Sequence, residues 1–224
     1  MQQIKKIIYY KGKSIDKPLI YVLRCKNGDL LIDTGNQKIT HQVDRWIRQN
    51  EFHIKWIFLT HGHFDHTWNA QFLKRKYGAK VILHEKDLRI FCMAEPGRLY
   101  SSSEKNDKIT AVANNELSDI TAPFCKVDYA LTDSDGDFLR KLGFDADIVM
   151  LPGHTAGSMG IISGRVLYSG DAVSAKRGDY YTAIFGEQFD GIFESEKKIF
   201  KINPLVIAPG HGQLIINEKA FDNF

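Results

Sequence analysis

Cysteine is scarce in this sequence, and the three cysteines fit no motif. Cys25, Cys92 and Cys125 are far apart, and none belongs to a CxxC pair. An odd number of isolated cysteines argues against a disulfide framework, and free cysteines are commonly buried as small apolar side chains. We therefore expect a protein of a reducing compartment, the cytoplasm.

Long apolar runs and a charge excess of either sign are also absent. No stretch approaches the roughly 18 apolar residues of a membrane-spanning helix, and the opening MQQIKKIIYYKG lacks the apolar core of a secretory signal. The 30 basic and 27 acidic residues leave a net charge of +3 and are spread along the chain. This balance argues against a membrane surface or a nucleic acid as a partner.

Strand-like and helix-like patterns alternate along the chain, which favours a layered α/β domain. Short β-rich runs at 19–25 and 29–33 precede apolar residues at helical spacing, which predict a helix over 38–49. Another strand and helix pattern ends at Gly78, a residue suited to a helix C-terminus. A chain of 224 residues is long enough for one well-packed core, so we predict a single domain over residues 1–224.

Residues 92–123 differ from the rest of the chain. They contain turn-forming and charged residues with little periodicity, although the part after Ile109 could form a weak helix. We predict a loop insertion that lies over the surface. Long loops in compact domains are often lids or binding loops.

The densest chemical signal is HGHFDH at residues 61–66, directly after a short apolar strand. Residues two apart in an extended chain point to the same side, so His61 and His63 can bind one ion together. Asp65 and His66 follow as the chain turns and can face a second ion. Imidazole and carboxylate are ligands of zinc, and also of iron or manganese. This density predicts a metal site rather than a polar loop that caps a helix.

Three later turns each add one ligand-type side chain beside a glycine. His154 in PGHT, Asp171 in SGD and His211 in PGHG each follow a predicted strand. Each alone is typical of an ordinary turn, but together they bring the set to seven. Two ions that share a bridging carboxylate and a water need about that number of ligands. The candidate hydrogen-bond partners of the ligands are Thr60, Thr155 and Ser169.

The motifs HGHFDH, PGHTAGS, SGD and APGHG resemble, in this order, the metal-binding motifs of the metallo-β-lactamase superfamily. The similarity extends from LLIDTG at 30–35 to His211. It implies a four-layered αββα sandwich, with two mixed sheets, helices on the outer faces and the site at one edge of the sheets. It also implies two groups of metal ligands and a bridge: His61, His63 and His154 for the first ion, Asp65, His66 and His211 for the second, and Asp171 between them.

The same resemblance implies an enzyme, a dinuclear hydrolase with two zinc ions or with iron or manganese in their place. A hydroxide that bridges the metals would attack a small ester-like substrate, a thioester or related acyl compound. Asp65 would orient the metal-bound water or carry a proton. An arginine near the site would suit a carboxylate or phosphate on the substrate. The candidate substrate contacts are Arg98, Tyr100, Arg177, Tyr180 and Tyr181.

Differences from other branches of the family narrow the range of expected activities. The best-known β-lactamases resemble HxHxDR with a later cysteine, and this chain has His66 and Asp171 in those two places. Flavodiiron proteins have a glutamate where this chain has His63. The chain ends thirteen residues after His211, so the C-terminal glutathione-binding domain of hydroxyacylglutathione hydrolases is not expected. Residues 92–123 are too few for the inserted domain of the nucleic-acid-cleaving branches. The chain therefore resembles a hydroxyacylglutathione hydrolase without that C-terminal domain.

Three alternative activities stay open. Lactonases of the family share all seven ligands but usually place a tyrosine shortly after the bridging aspartate, where Ala172 to Ser174 stand here. A phosphodiesterase or nuclease would use the same metals. A mononuclear iron dioxygenase that acts on a persulfide would use only part of the ligand set. The sequence leaves the substrate, the physiological metal and the oligomeric state open.

Overall fold

The structure is a computed structural model, and it describes residues 7–11, 18–93, 95, 97–101, 103–119, 123–177 and 180–217. Within them the part up to Leu131 contains seven strands: β1 (Ile8–Tyr10), β2 (Ile20–Leu23), β3 (Asp29–Ile32), β4 (Ile54–Phe58), β5 (Lys80–His84), β6 (Tyr100–Ser101) and β7 (Tyr129–Leu131). The described residues after Leu131 contain eight: β8 (Asp147–Met150), β9 (Met159–Ser163), β10 (Val166–Gly170), β11 (Ala175–Arg177), β12 (Tyr180–Thr182), β13 (Phe185–Gly186), β14 (Val206–Pro209) and β15 (Ile215–Ile216).

Helices connect many of these strands. The α-helices are α1 (Thr40–Gln49), α2 (Phe64–Thr67), α3 (Ala70–Tyr77), α4 (Leu88–Met93), α5 (Asp107–Asp119), α6 (Phe138–Lys141) and α7 (Phe189–Ile202). Short 3₁₀ turns cover Gln37–Ile39, Glu85–Asp87 and Glu104–Asn106. Among the residues described, no helix is both long and apolar enough to span a bilayer.

Two mixed sheets organise the fold. The first has the strand order β1-β2-β3-β4-β5-β7, and the second has the order β15-β14-β10-β9-β8. In the first sheet β3, β4, β5 and β7 run parallel, while β1 and β2 pair antiparallel. In the second only the β10–β14 pair is parallel. Two small ladders, β11–β12 and β6–β13, lie outside these sheets.

Alternation of side chains along the strands produces the layers. In β2, Tyr21 packs into the core between the two sheets, whereas Ile20 and Val22 pack on the helix side. Leu30 and Leu31 of β3 divide in the same way. This alternation is expected where both faces of a sheet are covered, because successive residues point to opposite faces.

Helices cover the outer face of each sheet. Val43 and Ile47 of α1 are fully buried in the apolar cluster on the first sheet. Ile199 of α7 packs with Leu167 and Ile207 of the second sheet. The order of layers is therefore helix, sheet, sheet, helix, and the predicted αββα sandwich is confirmed.

The segment predicted as a loop insertion, 92–123, contains regular structure in the part described. The helix α5 is 13 residues long, and β6 pairs with β13. The side chain of Asn114 accepts from the Leu99 amide and donates to the Leu99 carbonyl, both at 2.9 Å. Ile109 and Val112 of α5 are more than half exposed, at 52% and 57%. The insertion is thus a helical element with an apolar face that is not fully covered.

Candidate metal centre

The HGHFDH motif forms the turn between β4 and α2. His63 caps the N-terminus of α2 with extended backbone (φ −66°, ψ 145°), so Asp65 and His66 lie in the first turn of this helix. Gly62 is required by close packing, because a Cβ at this position would lie 2.8 Å from the Cβ of Ile90. The turn therefore projects four ligand-type side chains from a short, tightly packed segment.

We call His61, His63 and His154 the first triad. Their exposed fractions are only 1%, 3% and 2%. His63 Nδ1 lies 3.0 Å from His154 Nε2, and the three residues each offer one ligand atom within 4.8 Å of the others. The Nε2 atoms of His61 and His63 are buried and have no hydrogen-bond partner among the residues that the structure describes. Buried polar atoms are rarely left unpaired, so these nitrogens fit a bound metal.

We call Asp65, His66 and His211 the second triad. His211 Nε2 lies 3.1 Å from both His66 Nε2 and Asp65 Oδ2. The side chain of His66 is fully buried, but those of Asp65 and His211 are 25% and 26% exposed. This triad also forms a group compact enough for one metal ion. Two of its three members face the solvent.

Asp171 lies between the two triads. Its Oδ1 is 3.5 Å from His66 Nε2, and its Oδ2 is 3.7 Å from His154 Nε2 and 3.6 Å from His211 Nε2. Within the described part of the chain, Oδ1 is buried and has no hydrogen-bond partner. Gly210 allows this placement, since a Cβ there would overlap Asp171 Oδ1. One carboxylate therefore contacts histidines of both triads.

The first triad is electrically neutral. Burial, reinforced by the neighbouring imidazoles, holds the pKa of His61 well below its usual value. Burial and the neighbouring His154 lower the pKa of His63 to about 3, and burial also lowers the pKa of His154. Metal binding requires the neutral imidazole, and these three residues already have that form at neutral pH.

The charges of the second triad are different. Burial opposes a proton on His66 and on His211, but the carboxylates of Asp171 and Asp65 outweigh it and raise the pKa of both imidazoles. Burial also opposes ionisation of Asp171, yet His211, His66 and His154 hold its pKa well below the usual value. The pKa of Asp65 is lowered too, because His66 and His211 outweigh its burial. The second triad thus mixes anionic and cationic groups, and a metal ion would compete with protons for it.

Asp33 is a buried carboxylate behind the ligands, and the sequence analysis did not single it out. Its Oδ2 lies 2.8 Å from His66 Nδ1, and it accepts from the amide of Thr60 at 2.8 Å and the hydroxyl of Thr60 at 2.9 Å. The same hydroxyl lies 3.0 Å from His61 Nδ1. Asp33 therefore orients His66 directly and His61 through Thr60. The one signal in the sequence is an aspartate that ends an apolar strand.

Asp87 is a second buried carboxylate that sequence reasoning missed. It is fully buried and accepts from the amides of Gly62 and Gly157, both at 2.8 Å, and from the hydroxyl of Thr155 at 2.7 Å. Burial raises its pKa, and these hydrogen bonds oppose the shift. Of the three hydroxyls predicted to contact ligands, Thr60 does so, Thr155 contacts Asp87 instead, and Ser169 donates to the Gly170 carbonyl.

The predicted substrate contacts are only partly described. Tyr100 is 49% exposed, and the guanidinium of Arg98 lies 5.8 Å from its ring centroid. Tyr100 pairs with Gly186 of β13, and a Cβ at Gly186 would lie 3.0 Å from the Cα of His154. This ladder brings the insertion against the first triad. The side chains of Arg177, Tyr180 and Tyr181, on the β11–β12 hairpin, lie outside the described part of the structure, so their contacts stay a prediction.

Comparison with known proteins decides the family. Residues 16–211 match the family model of the metallo-β-lactamase superfamily. The chain belongs to the metallo-β-lactamase superfamily. All seven ligand-type residues of the two triads and the bridge lie within the matched segment, and the hydrolase class predicted from the motifs agrees with this membership.

Curated relatives of this superfamily protein are distant but match most of its length. The hydroxyacylglutathione hydrolase GloC of Haemophilus influenzae is 26% identical over 197 residues, which are 81% of this chain and 79% of the relative. The probable metallo-hydrolase YybB of Bacillus subtilis is 25% identical and covers 100% of this chain and 96% of its own.

Solved structures of the superfamily share the fold. The B3 metallo-β-lactamase BLEG-1 matches with a TM-score of 0.68 at 21% identity, over 97% of each chain. The protein TTHA1623, in a di-iron-bound form, matches with a TM-score of 0.64 at 23% identity, over 89% of each chain. At these identities the likeness shows the fold and leaves substrate and metal open.

Proposed function

We propose that this superfamily hydrolase uses two metal ions, zinc in the first place, to cleave a small thioester or a related acyl compound. The observation that carries the proposal is the position of Asp171, whose carboxylate lies 3.5–3.7 Å from histidine nitrogens of both triads. Two triads with a shared carboxylate match the ligand count of a two-metal site. A mononuclear enzyme would need only one of the triads.

The choice of a thioester rests on similarity in sequence. The Haemophilus relative is a hydroxyacylglutathione hydrolase by name and is 26% identical over 81% of this chain. That identity supports a common reaction type more strongly than a common substrate. We therefore propose the acyl–sulfur bond as the target and leave the acyl group and the thiol unassigned.

The donor set supports zinc and admits iron. Five imidazoles and two carboxylates make up the two triads and the bridge, and nitrogen and oxygen donors suit zinc, iron and manganese. The fold neighbour TTHA1623 is known in a di-iron-bound form, so iron belongs among the metals to test. When bound, such ions supply Lewis acidity that polarises a carbonyl and lowers the pKa of a water.

In this proposal Asp65 orients the attacking water and transfers its proton. Asp65 is ionised, because His66 and His211 lower its pKa, and its side chain is 25% exposed at the solvent-facing side. Its Oδ2 contacts His211, and the carboxylate would orient the attacking water and relay its proton. The water oxygen then bonds to the carbonyl carbon, the carbon–sulfur bond breaks, and the sulfur leaves with the proton that Asp65 returns. The products are a carboxylic acid and a thiol.

The three cysteines bear on the cellular compartment in which the enzyme works. Cys25, Cys92 and Cys125 are free thiols in the structure, and burial raises the pKa of Cys125 to about 11. Thiols of this kind persist in a reducing environment. We propose that the enzyme works in the cytoplasm on a small molecule.

The test is hydrolysis by the zinc-loaded protein of four model compounds: a thioester, a lactone, a phosphodiester and a β-lactam. We expect the thioester to give the highest kcat/KM, with turnover lost after chelation and restored by zinc. The same series with iron would show which metal supports the faster reaction. Persulfide-dependent oxygen uptake by the iron-loaded protein would be measured in parallel.

The control is Asp171→Asn, which keeps the shape of the bridging side chain and removes its charge. We expect this variant to fold and to lose most of the thioester activity. Equal activity in the variant, or turnover that survives chelation, would contradict the two-metal proposal. Faster metal-dependent cleavage of the lactone or phosphodiester would replace the thioester with that class.

A further inference from the structure

We propose that Asp87 is a positioning residue that fixes the three histidines of the first triad and sets the metal affinity of that triad alone. The inference rests on the proposed metal-dependent function. Asp87 is not one of the seven ligand residues. It lies in the 3₁₀ turn after β5, far in sequence from the motifs that carry those residues.

The donors to the Asp87 side chain lie in the HGHFDH turn, beside His61 and His63, and in the loop that carries His154. The Gly62 amide, between His61 and His63, donates to Oδ2 at 2.8 Å. The hydroxyl of Thr155, the residue after His154, donates to Oδ2 at 2.7 Å. Gly157, in the same loop, donates to Oδ1 at 2.8 Å. One carboxylate thus fastens together the backbone on both sides of the triad.

Close packing shows that both loops are built to approach this carboxylate. A Cβ at Gly157 would lie 2.5 Å from Asp87 Oδ1, and a Cβ at Gly62 would lie 3.1 Å from the Asp87 carbonyl oxygen. Asp87 itself is fully buried at the end of the 3₁₀ turn Glu85–Asp87. Because no water can replace a lost partner at this buried position, the loss of any one of these hydrogen bonds costs free energy.

An amide cannot replace this carboxylate. Both oxygens of Asp87 accept from a backbone amide, Oδ1 from Gly157 and Oδ2 from Gly62. In Asp87→Asn the amide nitrogen must face one of these two N–H groups, so one acceptor is lost and two donors oppose each other. The substitution keeps volume and shape, which makes it a specific probe of the hydrogen bonds.

The amide that Asp87 accepts from in the HGHFDH turn is that of Gly62, which lies between His61 and His63, whereas His66 of the second triad contacts Asp33. We therefore expect a selective effect. Partners that orient metal ligands typically contribute about 10–100-fold in metal affinity. Asp87→Asn should weaken metal binding at the first triad by about that factor and leave the second triad unchanged.

The experiment measures zinc affinity by competition with a chromophoric chelator in two single-site backgrounds. In His211→Ala the first triad is the intact site, and in His154→Ala the second triad is. Adding Asp87→Asn should raise the Kd in the first background and leave the Kd in the second unchanged. Equal Kd values with and without Asp87→Asn in the His211→Ala background would overturn the inference, and so would an equal loss in both backgrounds.

The matched control is Asp44→Asn. Asp44 of α1 is also a buried carboxylate. It accepts from Arg48, Lys76 and Tyr77, none of which belongs to a ligand loop. We expect Asp44→Asn to lower thermal stability and to leave both zinc affinities unchanged. If Asp87→Asn does not fold, Thr155→Val replaces it in the experiment. This variant removes one donor to Asp87 and should lower the zinc affinity of the first triad alone.

These outcomes separate the inference from the proposed function. A wild-type protein that binds no metal at either triad would overturn both. A wild-type protein that binds two ions, with a first triad indifferent to Asp87→Asn and Thr155→Val, would overturn the role of Asp87 and leave the two-metal hydrolase standing.

Discussion

The two triads hold similar ligands in different environments. The first consists of imidazoles that are at most 3% exposed, and its three histidines have lowered pKa values. The second contains a carboxylate and two imidazoles with raised pKa values, and the side chains of Asp65 and His211 are a quarter exposed. The first triad is thus enclosed in the interior, and the second lies at the solvent-facing side.

The difference extends to the residues behind the ligands. Asp87 connects the loops of the first triad through backbone amides, whereas Asp33 contacts the imidazole of His66 directly. Asp33 also reaches His61 of the first triad, but only through the hydroxyl of Thr60. We therefore expect the first triad to depend on how two loops are joined, and the second on the orientation of the His66 ring.

The largest expected effect comes from removing the charge of Asp33. Asp33→Asn leaves His66 Nδ1 and Thr60 with a poorer partner in a fully buried position, and breaking a buried pair costs roughly 3–5 kcal/mol. We expect a lower melting temperature of the metal-free protein and a loss of about 10–100-fold in zinc affinity at the second triad. Because Thr60 also contacts His61, the first triad should weaken by a smaller factor. A larger loss at the first triad than at the second would contradict the assignment.

An intermediate effect concerns the pH dependence of stability. Burial, with a contribution from Asp87, raises the pKa of Glu187 to about 7, while amides of Gly97 and Ala156 oppose the shift. Because this carboxyl has a higher pKa folded than unfolded, the folded state binds more protons between the two values. The free energy of unfolding of the metal-free protein should therefore fall as the pH rises from about 4.5 to about 7.

The check is urea denaturation of wild type and Glu187→Gln across this pH range. Glu187→Gln should flatten the slope, because the amide does not titrate. Glu187 accepts from Gly97 of the insertion at 3.1 Å and from the first-triad loop at Ala156. If the free energy of unfolding depends on pH in the same way in Glu187→Gln as in the wild type, titration of Glu187 does not contribute to the pH dependence of stability.

The smallest expected effect is in the insertion itself. Asn114→Ala removes both side-chain hydrogen bonds to Leu99, each with a net contribution of about 1 kcal/mol. We expect faster hydrogen exchange in residues 97–119 and a change in KM, with both zinc affinities unchanged. A lower zinc affinity of the first triad in this variant would show that the insertion helps to hold the metal. The two triads would then differ less in what supports them.

The structure brings the seven predicted ligand residues close together, and the reason is local. His61, His154 and His211 each follow a strand by a few residues, and glycines beside them mark tight turns. Because strand ends gather at one edge of two packed sheets, local order is enough to place them near one another. The same order and the family resemblance predicted the four layers.

The supporting carboxylates could not be predicted in this way. The partners of Asp87 are 25 residues away at Gly62 and 68 residues away at Thr155, and only the folded sheets bring them together. The substrate side is harder still, because the position of Tyr100 depends on its pairing with Gly186. No periodic pattern in the sequence records that pairing.

Native mass spectrometry of the zinc-loaded wild type, His154→Ala and His211→Ala proteins would count the metal ions that each chain binds. Two triads that share Asp171 predict two zinc ions per wild-type chain and one in each variant. A single ion in the wild type would contradict the account, and so would two ions retained in either variant.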